Sequence, residues 1–158
     1  YVKYSFFDSA MPLLTHAIEI NKNGWRAYYA LGISFIEANR RAEGLDALRR
    51  AVALNPDSIN AGMRLGLELA KDSDSRNEAV KLLTNVTHMA GKKLPQAYLI
   101  LASLYTRNNQ NREAADALEA YLNSSPDNAQ RESIKRKIED LRRKARKGSS
   151  LAESRLAN

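Results

Sequence analysis

Between Trp25 and Pro56 the apolar positions fall into two short runs of helical period. Tyr28, Leu31, Gly32 and Phe35 are spaced by threes and fours and so share one helical face. Gly44, Leu48 and Ala51 carry the same rhythm into a second helix, which Asn55-Pro56 stops. The pattern predicts two amphipathic helices joined by a tight turn. It then repeats. Gly62, Leu65, Gly66 and Leu69 are followed by Ala79, Leu83 and Val86. Tyr98, Leu101, Ala102 and Tyr105 are followed by Ala114, Leu118, Tyr121 and Pro126. The steps from Leu48 to Leu83 and from Leu83 to Leu118 are both 35 residues. Self-similarity at such a period is the signature of stacked helical hairpins. No hairpin buries its apolar face alone, so the array is stable only when stacked. Small residues at Gly32, Gly66 and Ala102 let one helix approach its partner closely.

These residues resemble the tetratricopeptide repeat family, whose pattern W-x2-L-G-x2-Y…A-x3-F…P they follow from about Tyr1 to Pro126. The resemblance implies an all-α fold, a right-handed superhelical array of tetratricopeptide-like helix-turn-helix hairpins with a C-terminal capping helix. It also implies a non-catalytic protein–protein interaction scaffold. The middle copy departs from the pattern. Gly62 stands where a large aromatic is usual and Gly91 where the closing proline is usual, and the turn Lys71–Asn77 is one residue longer than the family norm.

The expected organisation is the second half of a truncated N-terminal repeat over 1–22, repeats over 25–56, 59–91 (divergent) and 95–126, a basic capping helix over 127–147 and a tail over 148–158. Tyr1 aligns with Phe35 at a step of 34 residues, so the chain is expected to be a fragment of a longer protein, with a half-formed N-terminal repeat as the alternative. On this register Tyr1 to Phe7 are a helix remnant, with Phe6 and Phe7 near a turn. Asp8 or Ser9 caps the next helix, which holds Pro12 in or near its first turn and runs to about Ile20. Asp57 or Ser58 and Asp127 or Asn128 are the expected caps after Pro56 and Pro126. Gly91 to Pro95 reads as a loose connection. The tail is expected to be partly disordered, with a short further helix as the alternative.

Composition narrows the chemistry. At 158 residues the chain has the length of one domain and no span able to cross a membrane. It has no cysteine, which removes disulfides, thiolate metal sites and thiol nucleophiles. His16 and His88 occupy non-equivalent repeat positions without a partner four residues on, and read as rim residues. Asp72 and Asp74 lack the ligand series of a calcium loop. No phosphate loop or nucleophile elbow occurs. No enzyme, cofactor or metal is therefore expected.

With Tyr28, Leu31, Gly32 and Phe35 inward, Arg26, Tyr29, Ile33, Ile36 and Glu37 project a quarter to half a turn away. In the family that face lines a concave groove. The resemblance carries this role to Arg26, Tyr29 and Ile33, to Asn60, Met63, Leu67 and Lys71, and to Gln96, Leu99, Ser103 and Arg107. Tyr29, Ile33, Met63, Leu67 and Leu99 would form an apolar floor for an extended or helical peptide, unless they pack against the next hairpin. The lysine, asparagine and arginine clamp that one branch uses for acidic chaperone tails is not expected. A second candidate is the strip Lys135, Arg136, Arg142, Arg143, Lys144, Arg146 and Lys147. Arg131 to Lys147 hold nine Lys/Arg against three Asp/Glu, +6 of the formal +7. Such a strip suits nucleic acid or an anionic surface such as lipid, yet it holds no stacking aromatic, and a solvated capping helix is the favoured reading. Self-association through the truncated N-terminal end is a third expectation.

Overall fold

The computed structural model describes residues 2–125 and 129–156, and every regular element among them is helical. The chain divides into two compact units at Asp72/Ser73. The first contains α1 (Val2–Ile20), α2 (Trp25–Glu37), α3 (Arg41–Leu54) and α4 (Ile59–Leu69). The second contains α5 (Arg76–Ala90), a single 3-10 turn (Gly91–Lys93), α6 (Pro95–Arg107), α7 (Asn111–Ser124) and α8 (Arg131–Leu156).

Close backbone approach organises the first unit. A methyl group added at Gly32 would meet Leu48 Cγ at 2.7 Å and the Gly44 carbonyl oxygen at 3.0 Å. One added at Gly44 would meet Ile36 Cγ1 at 2.5 Å and the Gly32 oxygen at 2.9 Å. Two glycines thus face each other where α2 crosses α3, and Leu48, fully buried, fills the space beside them. This places Ile36 inside the hairpin. Its expected projection toward the groove is corrected, because the hole left by Gly44 draws the side chain inward. Leu31, Leu45, Leu65 and Leu69 complete the core of this unit.

The α2–α3 and α6–α7 turns close identically. Asn39 and Asn109 take φ of 64° and 58°, the left-handed region that asparagine enters more readily than most residues. The next N–H in each case bonds back across the turn, from Arg40 to the Phe35 oxygen at 2.8 Å and from Gln110 to the Tyr105 oxygen at 2.9 Å. This is the six-to-one closure that satisfies orphan carbonyls at a helix end. Elsewhere, Ser58 caps α4 as expected, its hydroxyl oxygen accepting the Ala61 N–H at 3.3 Å. Gly91 ends α5 at φ 53°, and Pro95 opens α6 at the first helical position, where its missing N–H costs nothing. The connection expected to be loose is therefore one ordered 3-10 turn.

Two further expectations are corrected. α1 is uninterrupted from Val2 to Ile20, with no break at Phe6–Phe7 and no new start at Asp8 or Ser9. No glycine or proline lies between Val2 and Met11 to stop it. Pro12 accordingly sits in the helix interior, where it cannot donate to the carbonyl of residue 8. At the other end, α8 begins at Arg131 and continues beyond Lys147 to Leu156, so the tail is helical over most of its length. Leu, Ala, Glu and Arg sustain the helix past Gly148. The caps expected at Asp127 or Asn128 lie outside the described residues. Ile134, Ile138 and Leu141 are buried against α7, as their stripe predicts.

Candidate binding surfaces

In the first unit α1 and α2 enclose an apolar depression of about 410 Å³. Phe7, Leu13 and Leu14 line it from α1, and Tyr29, Ile33 and Ser34 from α2. The Ser34 hydroxyl in the α2 wall is spent locally, since its Oγ donates to the Ala30 oxygen at 3.0 Å. Leu13 is 74% exposed at the edge. Of the other groove candidates in this unit, Arg26 is exposed with its guanidinium 4.7 Å from the centre of the Trp25 ring. Asn60 is exposed, and Met63 and Leu67 are half-buried on α4.

A buried charge accounts for the rest of α4. Glu68 is 3% exposed and meets three cations: Lys71 Nζ at 2.6 Å, Arg64 at 3.5 Å and Arg41 Nε at 3.7 Å. Arg41 also donates to the Glu68 backbone oxygen at 2.6 Å and pairs with Asp72 at 2.8 Å. Arg64 bonds Glu37 on α2 at 3.2 Å. Glu37 and Lys71, expected beside the groove from the family resemblance, thus belong to a network that ties α2, α3 and α4 together. Sequence reasoning missed this cluster. Its signal was a glutamate between two leucines in Leu67-Glu68-Leu69, at a position the helical period turns inward.

In the second unit, Gln96, Leu99, Ser103 and Arg107 are all exposed on α6, Leu99 at 36%. Between α7 and α8 a cleft of about 460 Å³ has Leu122 and Ile138 in its floor and a charged rim, where Arg142 pairs with Glu119 at 2.7 Å. Along α8, Lys135 bonds Glu132 at 2.8 Å and Arg143 bonds Asp140 at 2.6 Å. The hydrogen bond from Lys135 holds the Glu132 carboxyl below the usual carboxylate range. Arg136, Lys137, Lys144, Arg146 and Lys147 are exposed, and among the described residues none of the five makes an ion pair.

The remaining chemistry is dispersed. His16 lies 3.3 Å from Glu19 on the α1 surface, and His88 is exposed on α5. Asp72 is engaged by Arg41, and Asp74 accepts the Ser73 hydroxyl at 3.0 Å. Among the described residues no three His, Cys, Asp or Glu side chains come together as a metal site, and no helix is long and apolar enough to cross a membrane.

Comparison with known proteins follows the same lines. The tetratricopeptide repeat model matches residues 26–58 and 96–128. No curated protein matches. Among solved structures, the MamA protein is 22% identical with a TM-score of 0.67, covering 76% of this chain and 64% of its own. YrrB, described as a TPR protein with an unusual peptide-binding site, is 22% identical with a TM-score of 0.66, covering 80% of this chain and 64% of its own. MamA from Desulfovibrio magneticus RS-1, from residue 41 to its end, is 19% identical with a TM-score of 0.69, covering 94% and 86%. The chain therefore spans less than two thirds of the first two of these, and at such identities the likeness is one of fold.

Proposed function

We propose that this chain, two stretches of which match the tetratricopeptide repeat model, is a non-catalytic protein-interaction scaffold that takes an apolar segment of a partner against the exposed faces of its first helices. The observation that carries this reading is the depression between α1 and α2, whose wall contains Tyr29 and Ile33. Its volume of about 410 Å³ lies in the range of ligand pockets, and its lining offers little to a charged group. An extended or helical peptide with one or two large apolar side chains suits it, each anchor contributing about 1.5–3 kcal/mol on burial. Arg26, Asn60, Met63 and Leu67 are the remaining contact candidates on the first unit. Gln96, Leu99, Ser103 and Arg107 form a separate candidate set on the second. The peptide-binding site in the description of YrrB is consistent with this use of the fold.

The test is selection from a displayed peptide library on the whole chain, followed by affinity measurement on the Tyr29→Glu/Ile33→Glu variant. Selected peptides should share apolar anchors and lose at least about tenfold in affinity to the variant, while circular dichroism shows the helices intact. Peptides that bind both proteins equally would refute the assignment.

A further inference from the structure

We propose that the outward face of α8 docks the phosphate backbone of duplex nucleic acid, without regard to base sequence. The residues of this face are distinct from those of the peptide site. Counting about 100° per residue, Arg136, Lys144 and Lys147 share an arc of about 80° on one flank of α8, together with Asp140, which Arg143 engages, while Lys137 borders the buried stripe beside Leu141. From Arg136 to Lys147 the helix rises about 16 Å. Neither these four cations nor Arg146 is neutralised by an ion pair among the described residues, whereas Lys135, Arg142 and Arg143 are each held by a carboxylate. Arg136 still stands close enough to Glu132 to help hold its carboxyl down, so on this flank the cations outnumber the carboxylates rather than lack them.

The chemistry of the face selects the partner. The apolar stripe of α8 is already buried, with Ile134, Ile138 and Leu141 at 8%, 6% and 3% exposure. Nothing apolar on the described outer arc is left to enter the acyl boundary, as an interfacial membrane helix requires. A protein partner is poorly served as well, since interface cores are depleted in lysine and draw their affinity from buried aromatic and apolar anchors. Single-stranded nucleic acid calls for stacking aromatics, and there are none between Arg131 and Lys147. A duplex backbone needs only cations along a surface, because releasing its condensed counterions drives the association. Lys and Arg contacts to phosphate position a protein but carry no sequence information.

The experiment is fluorescence anisotropy of the full chain with a labelled 20-base-pair DNA duplex of arbitrary sequence, between 50 and 200 mM salt. Four phosphate contacts predict a log–log slope of about −3.6, a loss of about 150-fold in affinity across that range. A second duplex of unrelated sequence should bind equally. The Arg136→Gln/Lys144→Gln/Lys147→Gln variant, changed only at exposed positions, should flatten the slope to about −1. Arg142→Gln, whose cation already faces Glu119, should leave the slope nearly unchanged. Absence of duplex binding at 50 mM salt overturns the proposal, as does a triple variant with wild-type slope. Polyglutamate bound as tightly as duplex assigns the face to acidic protein instead. Phosphatidylserine vesicles bound in place of duplex assign it to lipid.

Discussion

At the scale of single residues, the α2–α3 hairpin depends on what Gly44 lacks. Its hydrogen atoms face the Gly32 carbonyl oxygen and Ile36 Cγ1, and a methyl group there would approach them to 2.9 and 2.5 Å. Ile36 can shift, but the backbone oxygen of a packed helix cannot do so without moving α2. Gly44→Ala should therefore destabilise the chain by about 1–3 kcal/mol through overpacking. The gain of about 1 kcal/mol in helix propensity that alanine brings opposes this, so the measured cost should fall toward the lower end. Urea unfolding measures it, and a variant as stable as the wild type would mean that the two helices spread apart cheaply. Asn39 and Asn109 show a different residue-level dependence. Both adopt positive φ at equivalent turns 70 residues apart. That is twice the 35-residue step, so the turn chemistry repeats along with the apolar rhythm.

At the scale of elements, Glu68 decides how α4 is held. A carboxylate 3% exposed is unfavourable in isolation, and here three cations and the Arg41 bond to its own carbonyl offset that cost. Glu68→Ala leaves Arg41, Arg64 and Lys71 facing one another without their shared anion. Lys71 at 59% and Arg41 at 36% side-chain exposure turn to water at little cost, so the loss should be about 2–3 kcal/mol rather than the full penalty of a wholly buried pair. Thermal unfolding would show it as a lowered midpoint, and no change would demote the cluster to decoration. What the sequence revealed and concealed divides along the same line. Positions such as Leu48, Leu83 and Leu118 were legible, because helical period reports burial directly. The seam of α8 was legible for the same reason. The role of Glu37 and Lys71 was not, since ion partners are chosen by a tertiary arrangement that spacing along one helix does not encode. The course of α1 was concealed for another reason. A repeat register borrowed from later hairpins demanded a turn at Phe6–Phe7, whereas the local residues contain nothing that ends a helix.

At the scale of the whole molecule, the two proposed surfaces are built from residues of different units and from opposite chemistries. Tyr29 and Ile33 offer apolar surface in the first unit, and the α8 cations offer charge in the second. The remainder of the chain is nearly neutral, with +6 of the formal +7 between Arg131 and Lys147. Apolar burial draws on no charge and phosphate docking on no apolar contact, so each surface should respond to its own substitutions and not to the other's. Peptide affinity of the Arg136→Gln/Lys144→Gln/Lys147→Gln variant should stay within about twofold of the wild type at 150 mM salt. Duplex affinity of the Tyr29→Glu/Ile33→Glu variant should hold to the same margin. Peptide binding should change little between 50 and 200 mM salt, because burial of apolar surface is insensitive to screening, while duplex binding collapses. Paired titrations of both variants with both ligands measure all of this. If the charge variant loses peptide as strongly as duplex, one polyanion-type surface explains both activities, and the depression between α1 and α2 is a packing feature of the hairpin array.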